Sequence, residues 1–83
     1  MPVTKAQIVR WFDDGKEKGA THMIIVCDTF DYGDFPEYVM PGQNARDEKD
    51  RQNAKPMRRV MEVYSLSLSV DDQFAEPRAF HYD

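Results

Sequence analysis

The chain contains one cysteine, Cys27, in 83 residues, so no internal disulfide staples the fold, and no cysteines and histidines stand at zinc-ligand spacing. Long hydrophobic runs are missing too. The longest uninterrupted apolar stretch is the five residues 23 to 27, far below the roughly 20 residues that a membrane-spanning helix needs. Met1, Pro2, Val3, Thr4 and Lys5 lack the basic-then-apolar order of a secretion signal, which makes a cytoplasmic protein with a reduced thiol the expectation. Positive charge is short as well. Eleven Lys and Arg against fifteen Asp and Glu leave a net charge of −4, whereas affinity for nucleic acid rests largely on basic side chains displacing counterions. Neither a nucleic acid nor a membrane is expected as a partner. The four glycines are scattered rather than gathered into a phosphate-binding loop, and no motif asks for a cofactor.

What is present is a strand that is apolar on both faces. Met23, Ile24, Ile25, Val26 and Cys27 form a run that must be covered on each side to be stable. At this length one domain, spanning 1–83, is near the lower limit of what buries a self-sufficient core. With disulfides and structural metal excluded, assembly is the reinforcement that remains.

The elements follow from caps and periodicity. Thr4 with Gln7 forms a capping box, Val3 staples against Ile8, and Ile8, Trp11 and Phe12 recur at helical spacing up to Lys16, Lys18 and a terminating Gly19. Gly15, inside that helix, is read as making room for a neighbouring backbone. A first strand from about His22 to Phe30 leaves through the turn Asp31, Tyr32, Gly33, Asp34, and residues 35 to 40 return as a second strand that Pro36 assigns to an edge or a strand entry. Residues 43–56 are almost wholly polar, with Asn44 and Asp47 as a cap pair, and fit a short solvated helix over 45 to 54 or a loop equally well. Residues 57 to 70 match both helical and strand periods. The alternation Ser65, Leu66, Ser67, Leu68, Ser69 favours a long third strand starting near Arg58, after which Ser69 and Asp72 cap one turn and a tail, 71–83, ends in Phe80, His81 and Tyr82.

The expected architecture is therefore α+β: an N-terminal helix on one face of a small antiparallel sheet of about three strands, a hairpin plus the long third strand. One helix leaves the second sheet face bare. A symmetric mate burying that face would make the protein a homo-oligomer.

Candidate chemistry divides between two surfaces. Asp28, Asp31, Asp34 and Glu37 recur every third residue along the hairpin, and with Tyr32 they make an acidic surface for a protein partner. The same carboxylates are hard-cation ligands in principle, with Asp28 as the best-placed general acid or base, although their spacing matches no EF-hand. Cys27 and His22 lie an odd number of positions apart in one strand, so they face opposite sides and cannot form a nucleophile pair. Arg58 and Arg59 also point to opposite faces; in a dimer cleft one of them, flanked by aromatics such as Tyr38 and Tyr64, would hold a nucleotide-like anion.

Three segments, residues 21 to 31, 36 to 39 and 57 to 64, resemble stretches in small uncharacterised proteins of bacteria and their phages. The resemblance implies no activity. At the level of that class, small acidic phage-type proteins include inhibitors of bacterial immunity, some blocking protein effectors and others sequestering nucleotide signals. The expected function is a non-enzymatic, acidic protein-interaction module or inhibitor, of the kind a phage directs at a host defence protein. The alternatives are a homo-oligomer that sequesters a nucleotide-like small ligand and a metal-dependent hydrolase.

Overall fold

The computed structural model describes residues 3 to 82. Residues 1, 2 and 83, part of the expected 1–83 unit and of the 71–83 tail, lie outside the described residues. Helix α1 (Lys5–Glu17) starts at the expected capping box: Thr4 Oγ1 accepts from the Gln7 N–H at 3.2 Å, and Gln7 Oε1 accepts from the Thr4 N–H at 3.4 Å. It ends at Gly19, whose φ of +78° lets the Gly19 N–H reach the Lys16 carbonyl at 3.1 Å and the Ala20 N–H reach that of Gly15 at 2.9 Å.

Gly15 makes room for side chains rather than for a backbone. A Cβ there would stand 2.8 Å from Tyr38 Cε1 and 2.9 Å from Leu66 Cδ1, and the Tyr38 ring is pinned because its hydroxyl donates to the Trp11 carbonyl at 2.8 Å. Gly15→Ala gains about 1 kcal/mol of helix propensity but overpacks this contact at a cost of about 1–3 kcal/mol. The expected result is a lower melting temperature; a rise would show that the ring has space to move.

Strands β1 (His22–Asp28), β2 (Asp34–Val39) and β3 (Arg58–Ser65) form an antiparallel sheet in the order β2-β1-β3, so the fold is α+β, with the helix, hairpin and third strand in the expected sequence. Pro36 lies on the edge strand β2, opposite Ile25. The ladder steps by two from the 2.9 Å bond between the Asp28 N–H and the Gly33 carbonyl, which turns the missing donor of Pro36 outward. A bulge interrupts the β1–β3 pairing. Ile25 faces Glu62 while Val26 faces Val60, leaving Met61 as the extra residue and sending Val60 and Tyr64 to opposite faces, where strict alternation grouped them together.

The third strand is shorter than its alternation suggested. It stops at Ser65; residues 66 to 68 turn, and Ser69 caps α3 (Val70–Phe74) by accepting from the Asp72 N–H at 3.3 Å. The serine and leucine alternation thus belongs to a turn and a cap, with Leu66 buried and Leu68 exposed.

Both faces of the sheet are covered by the chain itself. On one face Ile8 and Phe12 of α1 pack on Met23, Ile25, Tyr64 and Leu66. The other face corrects the expectation of a bare side: residues 43–56 contain helix α2 (Ala45–Ala54), and Ala45 packs among Ile24, Val26, Val39, Val60 and Val63, with Phe35 and Tyr82 completing the cluster. That face is covered without a mate. Small Ala45 lets the helix approach closely, and polar groups make the remaining contacts, Asn53 Oδ1 accepting from the Val60 N–H at 3.2 Å and Gln52 Oε1 from Arg58 Nη1 at 2.6 Å. Arg46 and Lys49 sit over the Tyr82 ring, 4.3 and 5.9 Å from its centroid.

The tail closes the outer edge of β3. Val63 donates to the Ala79 carbonyl at 2.8 Å and accepts from the His81 N–H at 3.0 Å, a parallel bridge centred on Phe80. Among the described residues no helix is long and apolar enough to cross a membrane.

Candidate interaction surface

At the end of the sheet where β1 turns into β2, the backbone is tied into a defined shape. The Asp28 N–H donates to Gly33 and the Asp28 carbonyl accepts from Tyr32 at 2.7 Å, while its carboxylate accepts from the Phe30 N–H at 2.8 Å. Asp31 repeats the device by accepting from the Gly33 N–H at 2.9 Å. The Thr29 N–H donates to the Met57 carbonyl at 2.9 Å, which fastens this loop to the turn between α2 and β3.

Three large apolar side chains are displayed at this end: Phe30 is 76% exposed, Tyr32 66% and Met57 54%. Two of the three sit on a costly backbone. Tyr32 and Met57 are the non-glycine residues with positive φ among those described, each at 60°, a conformation that costs an L-residue about 1–2 kcal/mol. Leu68 and Met40, also exposed, follow the ends of β3 and β2 at the opposite end of the sheet.

The sequence-derived acidic surface is only partly assembled here. Asp28 and Asp31 shape the loop and Tyr32 lies at its tip, but Asp34 and Glu37 leave on opposite faces of β2. Asp34 faces Cys27, whose thiol is pushed up in pKa by burial first and then by the hydrogen bond and charge of Asp34. Glu37 instead lies 3.9 Å from Arg58 on the α2 side. Among the described residues no three His, Cys, Asp or Glu side chains gather where they would hold a metal ion, so the threefold spacing does not become a ligand set.

The anion clamp expected of Arg58 or Arg59 with Tyr38 and Tyr64 is not brought together. Arg58 faces α2, donating to Gln52 and lying 5.0 Å from the Phe35 centroid, while Arg59 is exposed on the other face. Tyr38 is held against α1 with Lys18 Nζ 4.7 Å from its ring, and burial raises its pKa. Tyr64 is wholly buried and donates to Glu62 at 3.0 Å; burial, then the Glu62 charge, pushes its pKa well above the usual phenol value. Tyr64 has no face free for stacking, and Lys18 lies over the Tyr38 ring. His22 and Cys27 take opposite faces of β1, and His81 bonds Glu76 at 2.8 Å.

Sequence reasoning missed Phe30 and Met57, placing the first in a strand and the second just outside the third strand, expected to begin near Arg58. The signal was available in Asp28 and Asp31, two side chains able to cap turns that bracket Phe30 and precede Tyr32. No protein-family model matches this chain, and no curated protein or solved structure is detectably similar to it.

Proposed function

We propose that this protein works by binding another protein, through the loop of residues 29–33 and the adjoining turn at residues 55–57. The observation that carries the reading is the pairing of exposure with strain: Tyr32 and Met57 display large apolar side chains from left-handed backbone positions that glycine would occupy more cheaply. Aromatic residues and methionine are enriched at the centres of protein interfaces, where charges form the rim. Phe30, Tyr32 and Met57 supply such a centre, and Asp31 with the net charge of −4 suits a partner whose own rim is basic. An inhibitor is the form this module takes when the tip enters a functional cleft of its partner, as small phage-type proteins do with host defence proteins.

The test compares positions. A photo-crosslinking residue at position 32 is expected to yield a protein adduct in lysate of the source cells that the same residue at position 68 does not yield. Phe30→Ala with Tyr32→Ala should weaken capture of that partner by about 10-fold to 100-fold, as loss of central anchors does elsewhere. Tyr32→Gly should lose binding without lowering the melting temperature, since glycine relieves the strained φ. Equal adducts from both positions, or undiminished capture by the double variant, would overturn the reading.

A further inference from the structure

A concavity lies on the α1 side of the sheet, between β3 and residues 74 to 78. It has a volume of about 470 Å³, within the range of roughly 300–1,000 Å³ typical of small-molecule sites, and its walls are Val3, Met61, Phe74 and Pro77 over a floor of Ile25. Five charged side chains reach it, and Glu62, Glu76 and Arg78 are engaged in hydrogen bonds of the fold. Glu62 accepts from the Tyr64 hydroxyl and from the Ala79 N–H, both at 3.0 Å, and Glu76 bonds His81. Arg78 donates to the Met61 carbonyl at 3.2 Å and lies 5.3 Å from the Phe80 centroid, while Asp34 stands opposite Cys27, whose thiol donates to the Asp28 carbonyl at 3.7 Å.

Arg59 is the cation of the cleft that is left over. It lines the cleft, is exposed, and its guanidinium meets no carboxylate, carbonyl or ring among the described residues. The bulge at Met61 puts it there, by setting Arg59 opposite Cys27 on the Ile25 face instead of on the α2 face with Val60. An arginine with five unused donors beside the apolar wall of Val3, Met61, Phe74 and Pro77 is complementary to an anionic head group on an apolar body.

We propose that this cleft binds a small amphiphilic monoanion, with Arg59 pairing to its carboxylate and Val3, Met61, Phe74 and Pro77 covering its chain. The site lies within one chain and is independent of the interaction surface at residues 29–33 and 55–57. It differs from a clamp in a dimer cleft in using neither Arg58 nor a stacked tyrosine.

The experiment is amide chemical-shift titration of the isotope-labelled full chain with octanoate, 1-octanol and adenosine monophosphate. Octanoate is expected to give saturable shifts at Val3, Met61 and Phe74 and to bind about tenfold or more tighter than 1-octanol, the difference made by a charge-assisted hydrogen bond. Arg59→Gln should bring octanoate down to the affinity of octanol, while Tyr32→Gly leaves it unchanged. No saturable shift at those residues, equal binding of octanoate and octanol, or an unaltered Arg59→Gln variant would overturn the proposal. Tighter binding of adenosine monophosphate than of octanoate would overturn the apolar body of the ligand.

Discussion

Gln73→Ala is expected to destabilise this protein by about 2–4 kcal/mol, because it removes three side-chain hydrogen bonds to the backbone at once, although the Ser65 carbonyl keeps the Leu68 N–H at 3.3 Å and the Ser69 carbonyl keeps the residue 73 N–H at 3.2 Å. Gln73 is 2% exposed and its side chain acts as a short piece of strand: Oε1 accepts from the Ser65 N–H at 2.7 Å, and Nε2 donates to the Ser65 carbonyl at 2.9 Å and to the Ser69 carbonyl at 3.2 Å. Ser65 is itself 1% exposed, so water cannot replace the amide without opening the fold. For a chain of this size the loss corresponds to a fall in melting temperature of about 10 °C or more, and the Ser65 amide should lose much of its hydrogen-exchange protection.

Gln73→Glu separates this account from a mere packing role. The shape is kept, but an oxygen now faces two carbonyls, so at neutral pH the variant should be at least as unstable as Gln73→Ala. Burial among acceptors raises the pKa of that carboxyl in the folded state above its unfolded value. A raised folded pKa means the folded state holds its proton more tightly, so the deficit relative to the parent should shrink as pH falls through that range. A melting temperature for Gln73→Ala within about 2 °C of the parent would show that the Ser65 groups find other partners.

The parts of the fold written locally were legible. Thr4 and Gln7 specify the start of α1, the apolar run at 23 to 27 specifies the central strand, Pro36 specifies an edge, and Ser69 with Asp72 specifies the last cap. What covers the second face was not, because α2 does so with almost no apolar area. Its sequence from Ala45 to Ala54 is polar throughout its middle, and it docks through one small residue, Ala45, and through side-chain amides bonding to β3. A hydrophobic pattern registers greasy stripes, and it is silent on a helix held by Gln52 and Asn53. Gln73 was hidden for the same reason. The bulge at Met61 exchanges the faces of the two ends of β3, and no alternation rule anticipates one inserted residue. For the candidate sites the consequence is direct: Tyr64 goes to the core and Arg59 to the cleft.

Removing residues 79–83 tests whether the covered second face replaces a mate. The deletion takes away Ala79, which is fully buried, both backbone hydrogen bonds to Val63, the Ala79 N–H bond to Glu62 and the Tyr82 ring over the second cluster. The combined loss is on the order of 3–5 kcal/mol from buried area and hydrogen bonds. It also exposes the middle of β3 as an unpaired edge beside apolar side chains, the combination that strand pairing between copies exploits. The full chain is therefore expected to scatter light as a 9.7 kDa particle, while the shortened chain melts lower and associates with rising concentration. Tyr82→Ala divides the effect: it thins the cover of the second cluster but keeps the bridge at Val63, so it should lower stability without causing association. A full chain that is dimeric at low micromolar concentration would show that α2 and Tyr82 do not suffice to cover the second face. A shortened chain that stays monomeric with an unchanged melting temperature would remove the tail from the folded core.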